Sequence, residues 1–364
     1  MDALRAIEML QAALLRDLGD EVDLIFRYGS LLRGAAHAYS DLDVSYVPVH
    51  EETWHSITVI ADETMIDCYP IHWSALERMA GMDDVSCTVL LKSAIVYARD
   101  EGVAARFRSL PDRLLALQQP AARREMVVKA HRIFAETGYQ VYLLRQQAAK
   151  GHRLACLYHA RAILKSVLHC LMVCNQACID TRKLDQVLAL PRLPDDFAGT
   201  VRRVTHATDP GELLAATERL LETTRELLLL EQQAAMQVET TFAEVFDAAY
   251  PELKGDLQHL MLACERGDWL NLTLVSLCHE LMIHMAQVFR GIQYTGFNSP
   301  VEYEQDLAAL GFPDLLSYLV AGDLTGLHRQ CQAFDERLRQ FLTENGAALN
   351  AFEDLDALGR HLGV

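Results

Sequence analysis

Tyr28-Gly29-Ser30-Leu31-Leu32-Arg33-Gly34-Ala35-Ala36-His37-Ala38-Tyr39-Ser40-Asp41-Leu42-Asp43-Val44-Ser45-Tyr46-Val47 is the stretch that decides how this chain is read. The apolar run Val22 to Phe26 enters it as a strand. Gly29-Ser30 turns the chain sharply, and a short helix is expected from Ser30. Side chains on a strand alternate faces, so Asp41 and Asp43 point one way while Leu42 and Val44 point the other. Two carboxylates that close repel each other unless a cation neutralises them. A third acid follows in Thr64-Met65-Ile66-Asp67-Cys68-Tyr69-Pro70-Ile71, which reads as a strand that buries Asp67 among apolar and β-branched residues. Desolvating an unpaired carboxylate costs several kcal/mol, so packing alone does not account for Asp67. Three acids on adjacent strands are the donor set that a pair of Mg²⁺ ions takes.

On either side of this stretch, strands and helices interleave. Leu4, Ile7, Leu10, Leu14 and Leu18 recur at helical spacing over residues 3 to 18, giving an amphipathic helix for one sheet face. Helices are expected near 51 to 62 and 73 to 80, and Ser93 to Ala98 reads as a further strand. Past Pro111 the β-branched runs vanish, and long helical patterns broken by Gly and Pro continue to Val364. The fold class is therefore α+β, a small mixed sheet with packed helices followed by two helical bundles. The expected domains are 1–110, 111–234 and 235–364, with the second junction in Glu231 to Glu239. Two halves of the helical part look alike. Gly151-His152-Arg153-Leu154 matches Gly267-Asp268-Trp269-Leu270, Leu193-Pro194-Asp195 matches Phe312-Pro313-Asp314, and Gly211-Glu212-Leu213 matches Gly322-Asp323-Leu324. The offset drifts between about 111 and 119 residues.

A chain of 364 residues with 51% hydrophobic residues has enough apolar surface for sizeable cores. Its net charge of −17 repels nucleic acid, which counts against a polymerase working on long templates. Nine cysteines without a CxxC pair or an apolar leader point to a reducing cytoplasm and not to a disulfide framework. The most apolar window, Ala155 to Cys174, is interrupted by Arg161 and Lys165 and reads as a buried helix, so no membrane contact is expected.

Gly29-Ser30, Asp41-x-Asp43 and Asp67 together resemble the signature of nucleotidyltransferases of the DNA polymerase β superfamily. The chain is most similar to the kanamycin (aminoglycoside) nucleotidyltransferases, through that spacing, Arg33 and the run Tyr39-Ser40-Asp41. Softer similarity resumes at Trp269 to Thr295 and at Leu316 to Leu342. The resemblance implies ATP or another nucleoside triphosphate as co-substrate, with AMP moved to a hydroxyl of a small cationic acceptor such as an aminoglycoside, hence antibiotic resistance. It implies Mg²⁺ held by Asp41, Asp43 and Asp67, with Gly29, Ser30 and Arg33 on the triphosphate. In that family a Glu on the first long helix of the helical domain is the general base, and dimerisation completes the site. The nearest match is Glu136 in Ile133 to Tyr139, one residue later than the family position, with Glu252 as a second candidate. Tyr139 and Gln140 stand where the family carries a nucleotide-contacting Lys. A second helical domain in one chain offers a pseudo-dimer in place of a homodimer.

Each element has a plainer reading as well. Gly29-Ser30 and the acids make an ordinary turn with surface carboxylates, and Glu136 a solvated helix residue. Cys170, Cys174 and Cys178, one turn apart beside His169, read as small hydrophobes on one helix face more readily than as metal ligands. His279, Glu280 and His284 do not form the HExxH pattern, and neither Walker A nor GxGxxG occurs. Two other functions stay open: modification of a protein or an RNA end, as nucleotidyltransferases with HEPN-type helical partners perform, and nucleotide-binding regulation. In-line attack places the acceptor opposite the pyrophosphate, so an acid-lined cleft between the sheet and the helices is expected, with Glu136 or a neighbouring acid facing it.

Overall fold

The computed structural model describes residues 2–29, 40–274, 279–293 and 300–363. Its sheet is built around β1 (Val22–Tyr28) and β2 (Leu42–Pro48). With β3 (Ile57–Ala61), β4 (Thr64–Pro70) and β5 (Ala94–Ala98) they form five strands in the order β3-β4-β2-β1-β5. The β2–β4 pair is parallel and the others antiparallel, so the sheet is mixed. Alternation divides its faces. Leu42, Val44 and Tyr46 of β2 and Ile66 and Cys68 of β4 are buried together with Ile7, Leu10 and Leu14 of α1 (Ala3–Leu18). The intervening residues Asp43, Ser45, Asp67 and Tyr69 therefore lie on the opposite face.

Residues 51 to 62 differ from expectation. In place of a helix, Ile57 to Ala61 pairs antiparallel with β4, Thr58 opposite Asp67, and the hairpin closes at Asp62 and Glu63, both at positive φ. The four β-branched residues Ile57, Thr58, Val59 and Ile60 side by side favour a strand, since branching at Cβ restricts χ1 in a helix. Helix α2 (Trp73–Ala80), the short α3 (Thr88–Leu91) and α4 (Glu101–Leu117) complete the α/β part. Helix α4 runs through Pro111, so the hand-over from sheet to helices falls inside one element. The Phe107 ring of α4 packs tilted against Phe26 of β1 with centroids 4.8 Å apart, and the Arg106 guanidinium lies 4.1 Å over the Trp73 ring.

Helices α5 (Arg123–Ala135), α6 (Gly138–Ala149), α7 (Arg153–Cys174), α8 (Leu184–Leu188), α9 (Phe197–His206) and α10 (Pro210–Ala235) follow. Residues 1–231 form one compact unit, sheet and first helices together, and 232–364 form a second. In the first unit, Lys129 and Arg132 of α5 reach Asp83 at 3.1 and 2.7 Å, and His169 of α7 bonds to the Met82 carbonyl at 3.0 Å. Helix α7 has the length and apolarity to cross a membrane, alone among the described helices. Its stripe of Cys156, Ala160, Ile163 and Val167 packs instead into the helical core with Leu144, Phe197, Val201 and Leu220.

The second unit contains α11 (Phe242–Phe246), α12 (Tyr250–Arg266), α13 (Trp269–Leu274), α14 (His279–Arg290), α15 (Pro300–Ala309), α16 (Leu316–Ala321), α17 (Leu324–Glu344) and α18 (Leu355–Leu362). Its core gathers Tyr250, Leu257, Leu260, Phe312, Phe334 and Phe341.

Candidate active site

Asp43 stands where the sheet opens. Its strand neighbours in register are Tyr28 on β1 and Asp67 on β4, so Asp43 and Asp67 sit side by side on one face. Asp41 precedes β2 by one residue and shares that face by alternation. Gly29 follows β1 at φ 93°, and a Cβ there would overlap the Asp43 carboxylate. Only glycine serves, because it combines that backbone with close approach to Asp43. Asp67 is half-buried and not enclosed, since its face is the open one. Its Oδ1 accepts a hydrogen bond from the Thr58 hydroxyl at 2.7 Å. Ser30 and Arg33 lie outside the described residues.

A cleft of about 830 Å³ opens at Gly29 and Asp43. Tyr28, Tyr69 and the start of α2 form its sheet wall; α7 and the loop Asp180 to Arg182 form the other. Tyr28 and Tyr69 share a hydrogen bond of 2.6 Å between their hydroxyls, and the Ser45 hydroxyl donates to Tyr28 at 3.3 Å. Burial pushes the Tyr28 phenol far above its ordinary range, so it stays protonated. His72 also lines the cleft, and its Nδ1 is buried with no hydrogen-bond partner among the described residues.

The helical wall is cationic. Arg161 and Lys165 are one turn apart on α7 and therefore on one face; both are exposed, and neither is ion-paired among the described residues. Arg182 donates to both oxygens of Asp180 at 2.9 and 3.1 Å. That bidentate hydrogen bond raises the Arg182 pKa above its ordinary value, with the negative field of Asp43 and Asp41 adding to it. The same bond holds the Asp180 carboxyl below its ordinary range. Asp180 is nearly buried whereas the Arg182 side chain is 86% exposed, leaving the guanidinium accessible to an anion. The cleft is thus of mixed charge, with Asp43 and Asp180 against Arg161, Lys165 and Arg182, and not the acid-lined one expected.

Glu136 is exposed, at the C-terminal end of α5, and is not among the residues lining the cleft. The reason is register: α5 ends at Ala135, and its buried side is carried by Met126, Val127, Ala130 and Ile133. Glu252 lies in the first turn of α12 in the second unit. Cys178 does not continue the α7 face of Cys170 and Cys174. The helix ends at Cys174, Gln176 takes a left-handed conformation, and Cys178 lies in the following loop.

Among the described residues no three His, Cys, Asp or Glu side chains converge as a ready-made metal cage. Asp41, Asp43 and Asp67 are aligned without being drawn together. An aligned set of carboxylates suits Mg²⁺, a hard cation that is commonly held by one or two carboxylates together with substrate phosphate and water.

No family model and no curated protein matches this chain. Its structure is similar to a solved nucleotidyltransferase-like protein from Exiguobacterium sibiricum 255-15, at 15% sequence identity and a TM-score of 0.38, over 73% of this chain and 91% of that one. A likeness of that size carries no argument about chemistry.

Proposed function

We propose that this chain is a Mg²⁺-dependent nucleotidyltransferase that moves a nucleoside monophosphate from a triphosphate to the hydroxyl of a small acceptor. The observation that carries this reading is the opposition, across one cleft, of Asp43, which is paired in register with Asp67 and lies beside a side-chain-free Gly29, and a wall of three cations. A polyphosphate with bound metal presents both signs of charge, and such a cleft meets both.

Asp43, with Asp41 and Asp67, would hold Mg²⁺, which when bound neutralises oxygens around the reacting phosphorus. The remaining roles belong to side chains and backbone of the chain. Arg161, Lys165 and Arg182 would bind the triphosphate and offset the charge that builds on the departing pyrophosphate. Arg182 changes partner with little movement, because its fork is exposed and already held by Asp180. The apolar part of the cleft, Ile71, Met79, Val85, Val89, Leu164 and Leu168, suits a nucleobase or the body of the acceptor. Glu136 has no part in this reading. A general base must come within hydrogen-bond reach of the acceptor, and His72 is the cleft residue whose ring has an unused nitrogen.

The resemblance implies an aminoglycoside acceptor. Three cations on the helical wall count against a polycation seated there and favour neutral or anionic hydroxyl compounds. The test is incubation of the full chain with Mg²⁺ and ATP labelled at the α-phosphate, with kanamycin and then a panel of neutral and anionic alcohols as acceptors. Transfer of label with release of pyrophosphate supports the reading. Failure to bind MgATP at all would overturn it.

A further inference from the structure

Two sulfur atoms meet beside this cleft. Cys87 closes a short 3-10 turn, Val85 to Cys87, whose neighbours Ser86 and Thr88 line the sheet-side wall. Cys178 lies in the loop after α7, two residues before the Asp180 to Arg182 wall. The Cys178 thiol donates to Cys87 Sγ at 2.8 Å, and Cys87 Sγ in turn lies 3.9 Å from the Met172 sulfur. Both cysteines are free thiols.

We propose that Cys87 and Cys178 form a modification site, a dithiol that hydrogen peroxide converts to a disulfide joining the two walls of the cleft. A disulfide requires about 2.05 Å between the sulfurs, so the pair need close by less than about 1 Å. Exposure sets the order of events. Cys178 is half-buried and Cys87 fully buried, so Cys178 meets the oxidant first and Cys87 resolves.

In the first step the Cys178 sulfur attacks one peroxide oxygen. The O–O bond breaks, an S–O bond forms, and the other oxygen leaves as water with the thiol proton, giving a sulfenic acid. In the second, the Cys87 sulfur attacks the Cys178 sulfur. The S–O bond breaks, and its oxygen leaves as a second water with the Cys87 proton. The two sulfurs together lose two electrons, and one peroxide is reduced to two waters.

Anchors on both sides make the bridge consequential. On the sheet side, Asp84 caps the turn by accepting from the Ser86 amide at 2.8 Å. On the helix side, Gln176 donates to the Leu117 and Gln119 carbonyls at 2.9 and 2.6 Å, and the Asn175 side chain donates to the Arg192 carbonyl at 2.8 Å. Between those anchors, the disulfide fixes the distance from the Ser86 wall to Arg182, so the cleft can no longer widen there. The mutual contact and burial push the Cys178 thiol up, which makes the oxidation slow and selective for sustained peroxide.

The test treats the folded full chain with hydrogen peroxide, quenches it, and alkylates under denaturing conditions without reductant. Nine alkylatable cysteines less the oxidised pair leaves seven, and non-reducing peptide mapping joins the Cys87 and Cys178 peptides. Dithiothreitol restores all nine. Amide exchange around residues 84–89 and 176–183 slows on oxidation and returns on reduction. Peroxide-treated Cys87→Ser or Cys178→Ser shows neither the linked peptides nor the slowed exchange. Nine intact thiols after sustained treatment, a bridge between other cysteines, or unchanged exchange in the linked protein would each overturn the proposal. None of these readouts uses a nucleotide, so the proposal stands or falls apart from nucleotidyl transfer.

Discussion

The first helical region, α6 to α10, and the second, α12 to α17, share their turns but not their charges. The turn after α6 takes Gly151 at φ 70°, with Gly151 N–H bonded to the Ala148 carbonyl and His152 N–H to that of Gln147. The turn after α12 repeats this, with Gly267 at φ 62°, Gly267 N–H on Cys264 and Asp268 N–H on Ala263. In both, the amide two residues beyond the glycine returns to the glycine carbonyl. The long closing helices agree too. Asp209 and Asp323 each cap the start of one through a side-chain oxygen. The buried stripe Leu213, Thr217, Leu220, Thr224 and Leu228 of α10 recurs in α17 as Leu327, Cys331, Phe334, Leu338 and Leu342. Arg161 and Lys165 have no such echo. Aligned on the two glycines, their counterparts in the sequence are Leu277 and Leu281. What recurs is what a helical hairpin needs in order to turn and pack. The cations belong to one region alone, as their proposed role in the cleft requires.

The contrast is tested most severely at the acids. Asp43→Asn should lower transfer on the order of a hundredfold or more, because the carboxylate nearest the cleft is lost. Neutralising Glu265 in the second unit should leave the rate unchanged, and equal losses from both would dissolve the distinction. Next come the cations. Converting Arg161 or Lys165 to Leu, the residue its counterpart has, should each weaken MgATP binding about tenfold with unchanged unfolding, since charge-assisted contacts with phosphate are lost and no core contact is. Titration calorimetry beside denaturant unfolding separates the two effects.

The glycine turns sharpen the likeness itself. Gly151→Ala and Gly267→Ala should each destabilise by about 1 kcal/mol, because both have positive φ and an added methyl meets nothing at either. Clearly unequal costs in denaturant unfolding would show that the two turns are alike in outline only. The smallest expected effect is of pH. Burial holds the His131 pKa of α5 below its ordinary value, although its Nε2 lies 3.2 Å from the Leu228 carbonyl. The unfolded chain therefore takes up a proton that the folded one refuses. His131 contributes full stability above the unfolded pKa and loses it as pH falls from there towards the folded one. Melting followed from pH 7.5 to 5.5 should show a decline that His131→Gln reduces.

Much of the sheet was legible because its signals are local. Val22 to Phe26, the alternation at Asp41 to Val44 and the helical spacing of Leu4 to Leu18 each specify one element. Strand β3 was missed because Glu51, Glu52 and the hairpin acids Asp62 and Glu63 dilute its four branched residues, and an edge strand shows no clean alternation. Asp43 and Asp67 are side by side in register on the face that alternation assigns to them, with Asp41 one residue before the strand. The other half of the cleft was harder to see. Arg161 and Lys165 register in the sequence as breaks in an apolar window, yet their spacing of one helical turn was the available sign that they share a face. Asp180, Arg182 and the meeting of Cys178 with Cys87 depend on where α7 ends and how the chain leaves it. That follows from packing between residues far apart in the chain, which no local pattern reports.

Strand β3 has a consequence for handling this protein. It is an outermost strand of the sheet, and Val59 and Ile60 are 46% and 77% exposed. An open strand of this kind offers unpaired amides and carbonyls to any other extended chain, including a second molecule of the same protein. Five residues give little length for such pairing, and a net charge of −17 keeps like molecules apart in dilute buffer. Added salt shortens the reach of that repulsion to a few ångströms at about 1 M. Colloidal behaviour should therefore worsen with ionic strength, the reverse of the usual salting-in of a charged protein, and low-salt storage is what the exposed strand calls for.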